Sequence, residues 1–229
     1  MTPADVGRAF GLLREAGFDN LSLDLIYGIP GQTPKQLAAD LAHAVALGPE
    51  HISAYELEAK PGTRFTIAHG AELERQADRM EDYFERVVAT LTGAGYRWYE
   101  TANFCRDGKR ARHNLGYWLG RDYLGLGVGA VSTLGNERRR NTPRLARYVQ
   151  GCYDREIELL DRETQARERV MLGLRLDEPL VLGGLRAALD AEGLARAERL
   201  GLAVDGGRTL TLTRRGRFLG GAVTAEILA

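Results

Sequence analysis

Between Leu21 and Leu57 the chain changes its hydrophobic period twice, and this limits the possible folds more than any other stretch. Leu21, Leu23 and Leu25 alternate with Ser22 and Asp24, the period of two that a half-buried strand requires. Thr33 and Pro34 then supply an N-cap and a first helical residue, and Leu37, Leu41 and Val45 recur on one helical face up to Gly48. His51 to Leu57 reads as the next strand. Strand, helix and strand in this order predict a right-handed parallel crossover, and with it an α/β sheet or barrel. Ahead of this unit, Thr2-Pro3 opens a helix with Val6, Phe10 and Leu13 on one face, and Gly17 ends it.

In a sheet of this kind functional groups collect where strands end at their carboxyl edge. Asp24 lies near that edge, and Tyr27 to Thr33 form the loop that follows. Gly28, Pro30 and Gly31 let the backbone come close to a ligand, and they suit a plain tight turn equally well. Glu72 to Leu91 reads as one long helix, with Met80, Phe84, Val87, Val88 and Leu91 on its apolar face and Gly93 and Gly95 at its end. Tyr96 to Glu100 reads as a short strand whose Trp98 and Tyr99 are core aromatics.

The 229 residues, 44% of them hydrophobic, suffice for one large or two small domains. Thirty-one basic residues balance thirty-one acidic ones, so no global field recruits nucleic acid or an anionic membrane. No apolar run approaches the roughly eighteen residues of a spanning helix, and no basic-then-apolar leader opens the chain, which makes a cytoplasmic protein the expectation. Cys105 and Cys152 belong to no metal-ligand spacing and read as reduced thiols, because two thiolates cannot supply a four-iron cluster.

His113-Asn114-Leu115-Gly116-Tyr117-Trp118 is the most specific constellation of the second half. If it opens a helix, His113 and Tyr117 stand one turn apart on the same face, both within reach of a metal or a porphyrin plane. A structural histidine with satisfied hydrogen bonds fits the same pattern. Tyr123 to Ala130 resembles a dinucleotide loop, but its third glycine is mis-spaced and no clear strand or helix flanks it, so it reads as a glycine-rich strand or turn lining the site. Arg138-Arg139-Arg140, with Arg144 and Arg147, reads as a solvated loop and helix face, and forked donors of this kind also suit a porphyrin's propionates.

From Arg162 the organisation changes. Glu168 to Leu176, Leu182 to Leu189 and Glu192 to Leu200 read as helices, and Leu210 to Thr213 as a strand after the Asp205-Gly206-Gly207 turn, a winged-helix-like pattern. Winged helices often bind DNA, but eleven basic against nine acidic residues from Arg162 onward make a weak footprint, so nucleic acid is an unlikely partner and DNA binding a minor alternative. Arg208, Arg214, Arg215 and Arg217 are its only local support.

Leu23-Asp24-Leu25-Ile26-Tyr27-Gly28-Ile29-Pro30-Gly31-Gln32-Thr33 and the His113 to Trp118 segment together resemble the HemW-like branch of the radical S-adenosylmethionine (SAM) proteins, relatives of oxygen-independent coproporphyrinogen III oxidase. The resemblance implies a partial parallel β/α barrel over residues 1–100, a connecting subdomain over 101–161 and a winged-helix-like C-terminal domain over 162–229. It implies that Asp24, on the equivalent of the fifth barrel strand, contacts SAM, and that Glu58, after the sixth, is a second contact, although relatives carry a small or uncharged residue there. It further implies haem as ligand, with His113 the axial ligand of the iron, Tyr117 beside it and Trp118 packed nearby. The family's cysteine triplet is missing from this chain, so SAM and a 4Fe-4S cluster are expected of the complete family protein and no cluster of this chain alone. The implied partners are haem or porphyrin, haem-accepting proteins and the front half of the barrel; the related enzyme activity, oxidation of coproporphyrinogen, is the alternative function.

Overall fold

The computed structural model describes residues 2–151 and 155–228, and these form two compact units, one ending at Arg110 and one beginning at Ala111. Cys152 lies outside the described residues.

In the first unit, α1 (Pro3–Glu15) is capped by Thr2, β1 (Ser22–Tyr27) follows, and α2 (Pro34–Leu47) is capped by Thr33 before β2 (His51–Glu56). Both caps are reciprocal boxes in which the threonine side chain accepts from the third helical amide while the side chain of that residue, Asp5 or Gln36, accepts from the threonine amide. β1 and β2 pair in parallel from Ser22 opposite His51 to Tyr27 opposite Glu56, as the crossover reading requires. Next come α3 (Arg64–Gln76), a 3-10 turn over Ala77–Arg79, α4 (Met80–Gly93), β3 (Arg97–Glu100) and β4 (Asn103–Cys105). Leu37 and Leu41 of α2 and Val87, Val88 and Leu91 of α4 are buried, and with Ile52, Ala54 and Phe104 from the sheet they supply the core.

Two features depart from the sequence reading. The single helix expected over Glu72 to Leu91 is two helices, because the apolar stripe that anchors α4 begins only at Met80 and the preceding Arg75, Asp78 and Arg79 have nothing to bury. Buried Gln76 instead donates from its side chain to the Ile29 carbonyl at 3.1 Å. The sheet order is β1-β2-β4-β3, with β4 antiparallel to both neighbours. Only Thr101 and Ala102 separate β3 from β4, far too few for a parallel crossover, so the chain returns as a hairpin. That hairpin carries the compact unit past the boundary expected at residue 100.

The second unit holds α5 (Arg112–Trp118) and a meander of β5 (Val131–Leu134), β6 (Glu137–Asn141) and β7 (Arg155–Leu159), with α6 (Leu145–Val149) between the last two. The run Arg138 to Arg140 is therefore strand, not loop. The register sets Arg138 opposite Glu158 and Arg140 opposite Glu156, so the charge of β6 faces opposite charge on β7. Arg138 also bonds Glu168, and Arg139 pairs with Glu137.

α7 (Arg162–Gly173) begins earlier than the sequence reading because Asp161 caps it through the Thr164 amide. Then follow β8 (Leu180–Val181), a 3-10 segment over Gly183–Ala188 where an α-helix is expected, α8 (Ala191–Arg199), β9 (Ala203–Asp205), β10 (Thr209–Leu212), α9 (Arg214–Phe218) and α10 (Gly220–Ile227). The antiparallel sheet β8-β10-β9 and these helices enclose a core that includes Val170, Leu182, Leu210 and Ile227.

Candidate functional site

α5 is short, and its spacing does what the motif requires. Histidine and tyrosine four residues apart share a face, and the Tyr117 hydroxyl lies 3.0 Å from His113 Nε2, with ring centroids 4.9 Å apart and planes at 87°. Tyr117 also meets Tyr123 edge to face at 4.7 Å, which ties the start of the glycine-rich segment to the helix. That segment is irregular, held by the bridge from Tyr123 to Thr133 and by Asn141, whose side chain donates to the Gly125 and Gly127 carbonyls.

His113 is exposed, whereas Tyr117 and Trp118 are half-buried. The Arg175 guanidinium sits 4.3 Å above the Trp118 ring, and Arg169 donates to the Trp118 carbonyl at 3.0 Å. Burial holds the Arg169 guanidinium below its ordinary pKa. The Trp118 indole N–H is itself buried and finds no acceptor among the described residues. Beside this corner opens a cavity of about 740 Å³, bounded by the end of α5, the β5–β6 hairpin, one face of α7 and the start of the 3-10 segment.

The front unit places its sequence-derived residues apart. Asp24 is exposed in the middle of β1 opposite Ser53, and Glu58 is exposed two residues beyond the carboxyl end of β2. No hydrogen bond joins them among the described residues. At Gly28 and Gly31, both at φ +75°, the close approach is made by the protein itself. A Cβ there would stand 2.8 Å from Met80 Sδ or from Glu72 Oε1, and Gln32 accepts from the Gly28 amide at 2.8 Å. The space next to this backbone is filled by side chains, as a structural turn demands.

Sequence reasoning missed a polar chain on the same sheet, buried at His51 and Tyr99. Ser22 Oγ lies 2.8 Å from His51 Nδ1, and His51 Nε2 lies 2.8 Å from the Tyr99 hydroxyl. A bulge between Trp98 and Glu100 re-aims Tyr99 toward His51. Next to it the fully buried Glu100 accepts from the Ala102 amide at 3.0 Å and from the Asn103 side chain. Burial pushes the His51 imidazole down, against the charges of Asp24 and Glu100, which push it up. The available signal was His51 and Ser53 at alternate positions around the apolar Ile52 and Ala54.

The donor set decides which groups this chain can hold. Cys105 is buried in β4, and among the described residues no three His, Cys, Asp or Glu side chains gather to bind a metal. A four-iron cluster, which needs at least three thiolates, does not fit two cysteines. Haem does fit, because it asks the protein for one accessible imidazole and an aromatic surface, and His113 with Tyr117 offers both.

No family model matches the chain. The haem chaperone HemW of Mycobacterium tuberculosis is 37% identical over 97% of this chain and 59% of its own length. HemW of Bacillus subtilis is 35% identical over 75% of this chain and 47% of its own, and HemW of Escherichia coli 34% over 70% and 44%. Coproporphyrinogen III oxidase (HemN) of Escherichia coli, a radical SAM enzyme of solved structure, superimposes with a TM-score of 0.77 at 22% identity, over 99% of this chain and 58% of the oxidase. The chain thus spans less than two thirds of each relative, and over that span its sequence makes it a member of the HemW family, with a mixed α/β fold that matches HemN.

Proposed function

We propose that this chain carries the haem-holding part of a HemW-type haem chaperone, with His113 as axial ligand of the iron and Tyr117 beside it. The observation that carries the reading is the pairing of exposed His113 with half-buried Tyr117 on α5, next to a cavity walled by Tyr117, Trp118 and Tyr123. Haem is the cargo here and brings its own iron; the protein's part is to present the His113 imidazole and to shield one face of the macrocycle. His113 keeps Nδ1 without a partner among the described residues, while Nε2 is held by Tyr117.

Within the same reading, β1 and β2 belong to a parallel β/α barrel completed by strands outside this chain, and residues 162–229 form a winged-helix-like domain that packs over the site, with 111–161 as the connection. Asp24 and Glu58 are then the proposed SAM contacts of the complete barrel. The exposed position of Asp24 on the polar sheet face supports this, as does that of Glu58 just past a strand's carboxyl end. A DNA-reading role draws less support, because Arg196 of α8 is paired with Glu226 and Arg186 with Asp205. Among the described residues no helix is long and apolar enough to cross a membrane.

Titration with haem tests the proposal. The parent chain should develop a Soret band that is lost or shifted in His113→Ala, and indistinguishable titrations would remove His113 from the ligand role.

A further inference from the structure

We infer that the cavity behind Tyr117 seats the ring system of a tetrapyrrole, with Arg121 and Arg162 at its mouth pairing the macrocycle's two carboxylates. The inference rests on the haem reading of His113 and deepens it, by naming where the rest of the ligand goes and which chemistry recognises it.

The first ground is the cavity's size and lining. At about 740 Å³ it lies within the range of roughly 300 to 1,000 Å³ usual for small-molecule sites. One wall is aromatic, from Tyr117, Trp118 and Tyr123, and apolar surface comes from Leu160, Leu172 and Leu185. A flat, apolar ring system finds stacking and burial on such walls.

The second ground is the charge. Four arginines line the cavity and a single carboxylate, Glu168, stands among them. Two of the four are already engaged: Arg138 bonds both Glu168 and Glu158, and Arg169 donates to the Trp118 carbonyl. Arg121 and Arg162 are exposed and have no side-chain hydrogen bond or ion pair among the described residues. Each is fixed by its backbone, Arg121 through its amide to the Gly116 carbonyl in the turn that closes α5, and Arg162 as the first residue of α7 after the Asp161 cap. Two open guanidinium forks beside an apolar wall match a ligand that is flat and greasy over most of its area and doubly anionic along one edge. Arg138 and Arg169 are half-buried and already engaged, so the open forks are those at the mouth, which places the carboxylates there and the ring system against the aromatic wall.

The two parts of the site can be tested separately, because metal-free protoporphyrin has no iron for His113 to hold. The parent should bind metal-free protoporphyrin with quenching of tryptophan emission, and should bind its dimethyl ester about tenfold or more weakly, as the loss of two charge-assisted contacts requires. Arg121→Ala with Arg162→Ala should remove that preference, while Arg199→Ala, on α8 outside the cavity, keeps it. With haem the same double variant should bind about tenfold more weakly yet retain the His113-dependent Soret band. Equal binding of the acid and its ester by the parent, or an unchanged preference in the double variant, overturns the cavity assignment even when the Soret band depends on His113. A parent that binds metal-free porphyrin in this arginine-dependent way but shows no His113-dependent haem band upholds the cavity and overturns the ligand role of His113.

Discussion

His113 has two ring nitrogens, and Tyr117 occupies one of them. With Nε2 accepting or donating at 3.0 Å to the phenol, iron is taken at that nitrogen only after the hydroxyl is displaced. An exposed hydrogen bond contributes about 0.5–1 kcal/mol net. Tyr117→Phe should therefore tighten haem binding by about two- to fivefold, measured in the same Soret titration. A weaker band in this variant would mean that Nδ1 binds the iron and that Tyr117 orients the ring. His51 makes the opposite case, a buried histidine with both nitrogens engaged and its pKa lowered by burial. The unfolded chain takes up this proton near the ordinary value of about 6.5, and the folded chain only at lower pH. Below about pH 6.5 the unfolded state binds more protons, so stability falls with pH until the folded imidazole also titrates. Urea unfolding at pH 7 and pH 5 should show a steeper loss for the parent than for His51→Gln, and equal losses would show that other groups carry the acid sensitivity.

Among the elements, the contact of α8 with α10 depends on one missing side chain. A Cβ at Gly193 would stand 1.9 Å from the Glu226 carbonyl oxygen, and the two chain segments are joined there by the Asp190 amide donating to the Ile227 carbonyl at 2.8 Å. Backbone cannot yield as a flexible side chain can. Gly193→Ala should lower stability by about 1–3 kcal/mol through overpacking, whereas Gly221→Ala, in α10 with open space around it, should be neutral or stabilising by up to about 1 kcal/mol. Thermal unfolding of the two variants checks the contrast, and equal midpoints would show that the helices separate without cost. The β6–β7 pair shows a different dependence. Three consecutive arginines look like a solvated basic run until the structure pairs Arg138 with Glu158 of β7 and with Glu168, and Arg139 with Glu137, after which the charge of these two is no longer open to a ligand.

At the scale of the molecule, the front sheet ends at β1 on one side and at β3 on the other. β1 is an edge strand, only β2 pairs with it among the described residues, and its Ser22, Asp24 and Ile26 are exposed, Ile26 by 52%. An unpaired parallel strand with partly apolar surface invites pairing with another chain. The isolated chain should therefore associate with itself in a concentration-dependent way, and a separate chain carrying the front half of the family's barrel should suppress the association. Size-exclusion chromatography with light scattering reads both effects. A clean monomer at every concentration would mean that the edge of β1 is protected in solution.

What the sequence determined by itself was local. The threonine caps of α1 and α2, the parallel β1–β2 pair flanking α2, the helix that places His113 under Tyr117 and the turn before β10 all follow from spacings of a few residues, where steric and hydrogen-bonding preferences act directly. The tertiary structure alone decided the rest. Ser22 and His51 are 29 residues apart and His51 and Tyr99 48, so their hydrogen bonds exist only because strand order and a bulge bring them together. The glycine turn after β1 is filled by Met80 and Glu72, which no local pattern places there. The cavity behind Tyr117 likewise takes its walls from α5, a hairpin and α7, and which of its arginines stay open depends on whether a distant glutamate reaches them. Local periodicity sets what each segment becomes, and the burial of apolar faces sets which segments meet.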